Sequence, residues 1–215
     1  MNFVPLREKE RAFFEENGYL VVPDLLDAET IARLIEVGDR FMESAGPVHN
    51  YYANRYIDLL YDHALFELAT RSPAVPLVMQ LLSPDIHLTR ANLIYKHPQP
   101  ASDEPIYPDG DGRSFRNWHR DLNNFASNHP IRGTVCIRVG YCLSDFSQAN
   151  SGVTLLVPGS HKLEQPLVFE EGALDPPSFV ELSLNPGDAY LFSTSLSNTL
   201  YYSFRGVSSY NSIFN

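Results

Sequence analysis

The spacing of apolar residues predicts that the first part of the chain, residues 1–84, is mainly helical. Apolar residues recur every three or four positions from Leu6 to Asn17 and again after Asp27, as on the buried face of an amphipathic helix. Asp27 is a favourable N-cap, and Gly46 marks the end of the second helix. Two shorter helices and one brief strand are predicted at residues 57–70, 76–82 and 19–22.

The hydrophobic period changes at Asp85, and residues 85–215 are predicted to be rich in strands. A period of two runs from Asp85 to Lys96, which predicts one long strand with Asn92 and Lys96 on the same face. Helices followed by strands indicate an α+β, mainly β fold in one domain, residues 1–215, with the helices outside an antiparallel, barrel-like sandwich. The further strands are predicted at residues 114–122, 133–143, 152–157, 179–184, 187–194, 199–204 and 208–214.

The amino-acid composition argues against some classes of binding partner and indicates the cellular compartment. The chain of 215 residues is 44% hydrophobic, which is enough for a sizeable core, and its formal net charge is −10 without any basic run. A nucleic-acid or anionic-membrane partner is therefore not expected. Cys136 and Cys142 would be separated by roughly 20 Å along one strand, too far for a disulfide. Unpaired thiols, with no signal-like or membrane-spanning apolar segment, predict a cytoplasmic protein.

The candidate chemistry begins with His119 and Asp121 in a predicted strand. Side chains at positions i and i+2 of a strand point to the same face, so an imidazole nitrogen and a carboxylate oxygen can converge there. Two histidines and one carboxylate on one face form a site for Fe(II) that leaves positions open for a cosubstrate and oxygen. His119 and Asp121 would supply two of these three ligands. The pair alone is also compatible with ordinary polar residues on a half-buried strand.

Four local motifs make the chain resemble the phytanoyl-CoA dioxygenase family of non-haem Fe(II)/2-oxoglutarate-dependent oxygenases. The resemblance implies a double-stranded β-helix, also called a jelly-roll or cupin-like fold, and the cofactors Fe(II) and 2-oxoglutarate. It also implies that His119 and Asp121 are metal ligands, and that His161 has a structural role in a turn. The four motifs are Phe13–Pro23, Trp118–Asp121, Ser151–Lys162 and Asn185–Phe192.

The sequence departs from the family at two positions that the chemistry needs. The second metal histidine would fall on Asn198, and no histidine follows His161. A neutral carboxamide is a poor Fe(II) ligand, so Asn198 is at most a weak third ligand; alternatively, it forms hydrogen bonds locally in a turn. The arginine that binds 2-oxoglutarate would fall on or beside Ser209, where there is none. The paired loss predicts a degraded metal site and weak or absent 2-oxoglutarate binding, with Arg205 or Lys96 as substitute cosubstrate anchors.

Further polar residues are candidates for the substrate pocket: Asn92, Trp118 and Arg138. The basic candidates Lys96 and Arg138 also have interpretations in which they serve only the structure. Lys96, at the end of a strand, would reach solvent, and Arg138 would pair with Asp145 or Asp188.

Three functions are compatible with these features, all with a small molecule as ligand or substrate. The first is an oxygenase of natural-product metabolism with an unusual third iron ligand. The second is a metal-independent isomerase, cyclase or dehydratase that uses His119 and Asp121 as an acid–base pair. The third is a non-catalytic relative that binds a ligand or a partner protein. The retained Trp118-His119-x-Asp121 motif favours an enzyme, with the oxygenase-like class, carrying a degraded metal site, as the first interpretation and the metal-independent catalyst as the alternative.

Overall fold

The fold was analysed in a computed structural model of the chain. The residues that it describes are 5–46, 52–96, 118–121, 134–149, 151–171, 173, 175–200 and 211–214. No helix in these ranges is long and apolar enough to cross a membrane.

The helices in the described part of the chain begin and end where local chemistry predicts. The carboxylate of Asp27 accepts a hydrogen bond from the Thr30 backbone N–H at 2.8 Å and caps α2. Gly18 ends α1 in the left-handed conformation with φ of 80°, which favours glycine. The bounds are Glu8–Asn17 for α1, Ala28–Ser44 for α2, His63–Arg71 for α3 and Ala74–Leu81 for α4, with 3₁₀ turns at Leu59–Tyr61 and Ser160–Lys162.

The strands within the described ranges form two antiparallel sheets. The larger has the order β1-β7-β4-β9-β3-β2, and the smaller has the order β6-β5-β8. One hydrophobic cluster includes Ile94 and Tyr190 from the larger sheet and Leu156 from the smaller, so the sheets face each other across a shared core. The strands are β1 Tyr19–Val22, β2 Tyr52–Tyr56, β3 Asn92–Lys96, β4 Ile137–Cys142, β5 Thr154–Leu156, β6 Val180–Glu181, β7 Ala189–Ser193, β8 Asn198–Leu200 and β9 Asn211–Phe214.

The helices pack against the outer face of the larger sheet, as predicted. Leu34 of α2 and Leu65 of α3 are almost completely buried in a cluster with Leu93 of β3 and Tyr141 of β4. Complete burial of such a side chain contributes about 1.5–3 kcal/mol. This packing leaves the inner face of the sheet for the second cluster and for the candidate site.

The structure corrects two predicted elements and adds one strand that was not predicted. Residues 85–91 form no strand, and regular pairing begins only at Asn92. Their side chains are mostly exposed, so the alternating pattern there does not reflect a buried face. Residues 52–56, most of which were predicted as neither strand nor helix, form β2 because they pair with β3. The predicted helix at 57–70 begins only at His63, after a 3₁₀ turn.

Candidate functional site

Two segments that are distant in sequence place the candidate site at one end of the sheets. The backbone N–H of His119 donates to the Asn198 carbonyl at 3.0 Å, and the Asn198 N–H donates to the His119 carbonyl at 2.8 Å. Asn198 in turn lies opposite Leu156 in the β5–β8 pairing. The position predicted for the missing metal histidine therefore lies directly beside His119.

The structure brings His119 and Asp121 into contact. His119 Nε2 lies 3.2 Å from Asp121 Oδ1, with the carboxylate 13% exposed and the imidazole 37% exposed. The predicted convergence of the two side chains is therefore confirmed, but the predicted strand at 114–122 is not: its described residues, 118–121, form only an isolated β-bridge at His119, and Asp121 lies in a turn. The pair therefore combines a buried carboxylate with a more accessible imidazole.

Arg138 approaches the same carboxylate from β4. Its Nε lies 3.2 Å from Asp121 Oδ2, an oxygen that is buried and makes no hydrogen bond within the described part of the chain. The predicted pairing of Arg138 with Asp145 or Asp188 is therefore wrong. Those carboxylates accept backbone hydrogen bonds instead, Asp145 from Ser147 and Asp188 from Asp24 and Asn185.

The electrostatic surroundings keep Asp121 ionised. Burial raises the pKa of the Asp121 carboxyl, but the hydrogen bond with His119 and the charge of Arg138 outweigh burial. The net result is a pKa below the ordinary value of aspartate. At neutral pH the site therefore holds a carboxylate flanked by an imidazole and a guanidinium.

The side chain of Asn198 forms hydrogen bonds within its own turn and also with the segment that carries His119 and Asp121. Its Nδ2 donates to the Leu196 carbonyl at 3.2 Å, and the residue is 4% exposed. This agrees with the local hydrogen bonding proposed above for asparagine. Among the described residues, no group of three or more His, Cys, Asp or Glu side chains could hold a metal ion. The described residues thus supply two ligands, which does not fit a site that needs three protein ligands for Fe(II).

Trp118 and Arg120 alternate with the His119–Asp121 pair and contact other groups. Trp118 Nε1 donates to Asp175 Oδ1 at 3.1 Å, and the indole ring meets Phe179 edge-on. Arg120 Nη2 donates to the Ser160 carbonyl at 2.8 Å. Trp118, a predicted pocket residue, is thus held by the chain segment that precedes β6.

Lys96 and Asn92 are buried on β3, and the interpretation that Lys96 reaches solvent is wrong. Lys96 is 4% exposed and donates to the Gly152 carbonyl, and burial lowers its pKa to about 7. Asn92 Nδ2 donates to Asn54 Oδ1 at 2.7 Å. The pairing of β3 and β4 with β9 places Lys96 and Arg138 at different levels of the sheet. The structure therefore does not bring these two cations together. Arg205 lies outside the described residues.

Sequence reasoning missed three residues that meet in the core behind His119 and Asp121. Tyr190 is fully buried, and its hydroxyl lies 2.8 Å from Thr154 Oγ1. Gly140 lies directly opposite Tyr190 in the β4–β7 pairing. A glycine inside an otherwise apolar strand was the available signal, because it often marks a close approach of another group.

Comparison with known proteins agrees with this architecture. The family model described as phytanoyl-CoA dioxygenase (PhyH) matches residues 14–203. The structure of HygX from Streptomyces hygroscopicus with nickel and 2-oxoglutarate bound is 14% identical, with a TM-score of 0.73 over 98% of this chain and 85% of that chain. No protein of curated function matches the chain significantly.

Two structures from nogalamycin biosynthesis are also similar. The epimerase SnoN, in complex with Fe3+, alpha ketoglutarate and nogalamycin RO, is 20% identical with a TM-score of 0.71, over 96% of this chain and 81% of that chain. The carbocyclase SnoK is 14% identical with a TM-score of 0.69, over 97% and 82%. At these identities the similarity shows the fold, and it implies that the two antiparallel sheets form a double-stranded β-helix.

Proposed function

The chain belongs to the phytanoyl-CoA dioxygenase family, and from this premise we propose that it is a small-molecule enzyme of natural-product metabolism with a degraded iron site. In this proposal His119 and Asp121 act as an acid–base pair that does not depend on stably bound Fe(II). The substrate class is suggested by the solved relatives, which include an epimerase and a carbocyclase from nogalamycin biosynthesis and a complex with hygromycin B.

The proposal rests on the contacts that the two carboxylate oxygens of Asp121 make. Each of its oxygens lies 3.2 Å from a protein nitrogen, His119 Nε2 on one side and Arg138 Nε on the other. Fe(II) bound to this carboxylate would face the charge of the guanidinium at close range. At the position of the third metal ligand, the described part of the chain offers only the amide of Asn198, whose nitrogen donates to the Leu196 carbonyl. A metal would therefore gain two ligands and encounter a fixed cation.

The same contacts suit proton transfer. Asp121 orients the imidazole and stabilises its protonated form, while Arg138 keeps the carboxylate ionised. His119 can then accept a proton from an acidic C–H or O–H group of a substrate. In an isomerisation or epimerisation the proton is returned to the substrate, so the reaction requires no oxidant or reductant. In a dehydration the imidazolium protonates the departing hydroxyl, which leaves as water.

An iron- and 2-oxoglutarate-dependent oxygenase is the second candidate, favoured by the family and by the metal and 2-oxoglutarate complexes of HygX and SnoN. His119 and Asp121 would hold the iron, which would supply oxidative chemistry at a substrate C–H bond. The two candidates differ in a property that needs no knowledge of the substrate, namely the affinity for Fe(II).

Anaerobic Fe(II) titration, with metal analysis of the purified protein, distinguishes the candidates. We expect the native chain to hold well under one equivalent of iron and to show no oxygen uptake when 2-oxoglutarate is added. Near-stoichiometric iron with 2-oxoglutarate-dependent oxygen uptake would reject the proposal and establish the oxygenase.

Restoring the third ligand tests the reason for weak iron binding. Asn198→His is expected to raise Fe(II) affinity at least about tenfold, since one additional protein ligand contributes more than about 1.4 kcal/mol. Adding Arg138→Met should raise the affinity further by removing the competing cation. Arg90→Met removes the same charge from an exposed position and should have no effect. His119→Ala in the Asn198→His background should abolish the gain; iron binding that survives this change would show that the metal lies elsewhere.

A further inference from the structure

The side chain of Tyr190 crosses the space between the two sheets. The residue lies on β7 of the larger sheet, while its hydroxyl lies 2.8 Å from Oγ1 of Thr154, on β5 of the smaller sheet. Tyr190 is fully buried, and Thr154 is 3% exposed. The side chain of Tyr190 thus spans the interior of the barrel and contacts the opposite sheet through its hydroxyl group.

The ring of Tyr190 makes close contacts with two of its described neighbours, Gly140 and Phe192. A Cβ atom on Gly140 would lie 2.3 Å from Tyr190 Cε1 and 2.4 Å from Cζ, so the ring lies directly on the backbone of β4. On the other side, the ring stacks on Phe192 with centroids 5.9 Å apart and an interplanar angle of 8°. The strand β4 therefore needs glycine at this position, and the ring fills the space between β4 and Phe192 at this level.

Strand register places this filled level between two cations. Along the inner face of β4, Arg138 is followed by Gly140, the partner of Tyr190, and then by Cys142. Cys142 and Ile94 both pair with the same residue of β9, and Lys96 lies two residues beyond Ile94. Six residues of strand therefore separate the level of Arg138 from that of Lys96, roughly 20 Å.

Lys96 thus occupies a separate compartment on the far side of Tyr190. It is 4% exposed, and its hydrogen-bond acceptor in the described part of the chain is the Gly152 carbonyl. Gly152 precedes β5 and lies four residues before Leu156, the partner of Asn198, which is about 13 Å along a strand. Along the strands of both sheets, the order is therefore the same: the His119–Asp121 end comes first, then Tyr190, then Lys96.

We propose that Tyr190 is the floor of the candidate site, that it limits the depth to which a ligand can enter, and that it closes the Lys96 compartment to ligands. The site then takes a compact molecule held near His119, Asp121 and Arg138. It does not take a dicarboxylate that extends inward to Lys96. The assignment of Lys96 as a cosubstrate anchor is replaced by that of Tyr190 as a specificity-determining residue. This inference concerns ligand size and holds whether or not the site binds iron.

Lysine labelling measures the closure directly. Reductive methylation with formaldehyde and cyanoborohydride, followed by mass spectrometry, compares Lys96 with the exposed Lys9. In the native chain Lys96 is expected to react at least about a hundredfold more slowly, because reaction requires local opening. Tyr190→Ala should accelerate the labelling of Lys96 at least about tenfold and leave Lys9 unchanged. Equal rates for Lys96 and Lys9 in the native chain would overturn the proposal.

Two control variants separate opening of the floor from general loss of stability. Leu34→Ala makes a cavity in the other core cluster, on the outer face of the larger sheet, and should not expose Lys96. Tyr190→Phe keeps the ring and removes the hydroxyl, so Lys96 should remain protected. Acceleration in Leu34→Ala equal to that in Tyr190→Ala would show that unfolding, and not the floor, controls access, and would reject the proposal.

Calorimetry with 2-oxoglutarate tests the same closure with a dicarboxylate. Tyr190→Ala should bind 2-oxoglutarate at least about tenfold more tightly than the native chain, because the carboxylate can then reach the ammonium group of Lys96. Adding Lys96→Met should remove that gain. Native affinity for 2-oxoglutarate that falls in Lys96→Met alone would show that the compartment is already open, which contradicts the proposal. These measurements require neither iron nor turnover, so their outcome is independent of the proposed acid–base function.

Discussion

At the scale of single residues, the burial of Lys96 has a measurable consequence for stability. The residue is 4% exposed, and its ammonium group donates to the backbone carbonyl of Gly152. Burial therefore disfavours the charged form and lowers the pKa from 10.5 to about 7. The unfolded chain, in which the lysine is hydrated, retains the ordinary pKa. The two states thus bind different numbers of protons between about pH 7 and 10.5.

The sign of this linkage predicts how stability depends on pH. Above pH 7 the unfolded chain holds a proton on Lys96 that the folded chain has lost, so rising pH favours the folded state. The contribution to the free energy of unfolding should grow by up to about 1.4 kcal/mol per pH unit. Lys96→Met should remove this contribution, as measured by urea unfolding at pH 7 to 8.5, whereas Lys9→Met should not. Parallel curves for Lys96→Met and the native chain would contradict the prediction.

At the scale of elements, the 3₁₀ turn Ser160–Lys162 joins three parts of the chain. Ser160 Oγ accepts a hydrogen bond from the Ser197 N–H at 2.8 Å, just before β8. His161 Nε2 lies 3.3 Å from the Glu15 carbonyl of α1. Arg120 Nη2 donates to the carbonyls of Ser160 and Leu163 at 2.8 and 3.0 Å. The turn therefore attaches the His119–Asp121 segment to both β8 and the first helix.

Arg120 is accordingly predicted to be important for the stability of this junction. Arg120→Met removes two charge-assisted hydrogen bonds to backbone carbonyls and should lower the free energy of unfolding by about 1–3 kcal/mol. Lys162→Met, two positions after Ser160, removes an ion pair with the exposed Glu16 and should leave stability almost unchanged. Denaturant unfolding of the two variants measures the difference. A loss in Lys162→Met as large as in Arg120→Met would show that surface charge, not the junction, determines stability here.

At the scale of the whole molecule, the turn before β7 connects the helical layer with the larger sheet. The Leu25 and Leu26 N–H groups donate to the Gly187 carbonyl at 2.9 and 3.0 Å. Asp188, which is 4% exposed, accepts hydrogen bonds from the N–H groups of Asp24 and Asn185. Gly187 has φ of +95°, and a Cβ there would lie 2.7 Å from the Leu26 carbonyl oxygen. The Pro-Gly-Asp motif is thus the joint between the β1–α2 connection and β7.

Removal of this joint is predicted to destabilise the whole fold. Asp188→Ala leaves the Asp24 and Asn185 N–H groups without their acceptor and should cost on the order of 3 kcal/mol in the free energy of unfolding. Asp145→Ala is the matched control, because Asp145 accepts one hydrogen bond in an exposed loop and should cost less than about 1 kcal/mol. Thermal and urea unfolding report both values. Similar losses in the two variants would show that Asp188 acts only within its own turn.

Interactions between near neighbours in the chain determined the features that the sequence alone predicted. The helical period and the Asp27 cap are local, and they placed α1 and α2 close to their observed bounds. The contact of His119 with Asp121 was predicted from their spacing of two residues, although Asp121 lies in a turn and not in a strand. The absence of any histidine after His161 is a property of the sequence, so residues 162–215 cannot supply a second histidine ligand in any packing.

Only the tertiary structure decided which distant residues meet. Arg138 pairs with Asp121, and not with the two carboxylates suggested by the sequence, because β4 brings its guanidinium to the end of the barrel where the His119 segment lies. Tyr190 and Thr154 are 36 residues apart and meet because two sheets pack face to face. Lys96 is buried because the inner face of β3 packs against the smaller sheet, where the Gly152 carbonyl before β5 accepts its hydrogen bond. These contacts depend on how strands pair and sheets pack, which the local alternation of apolar and polar residues does not specify.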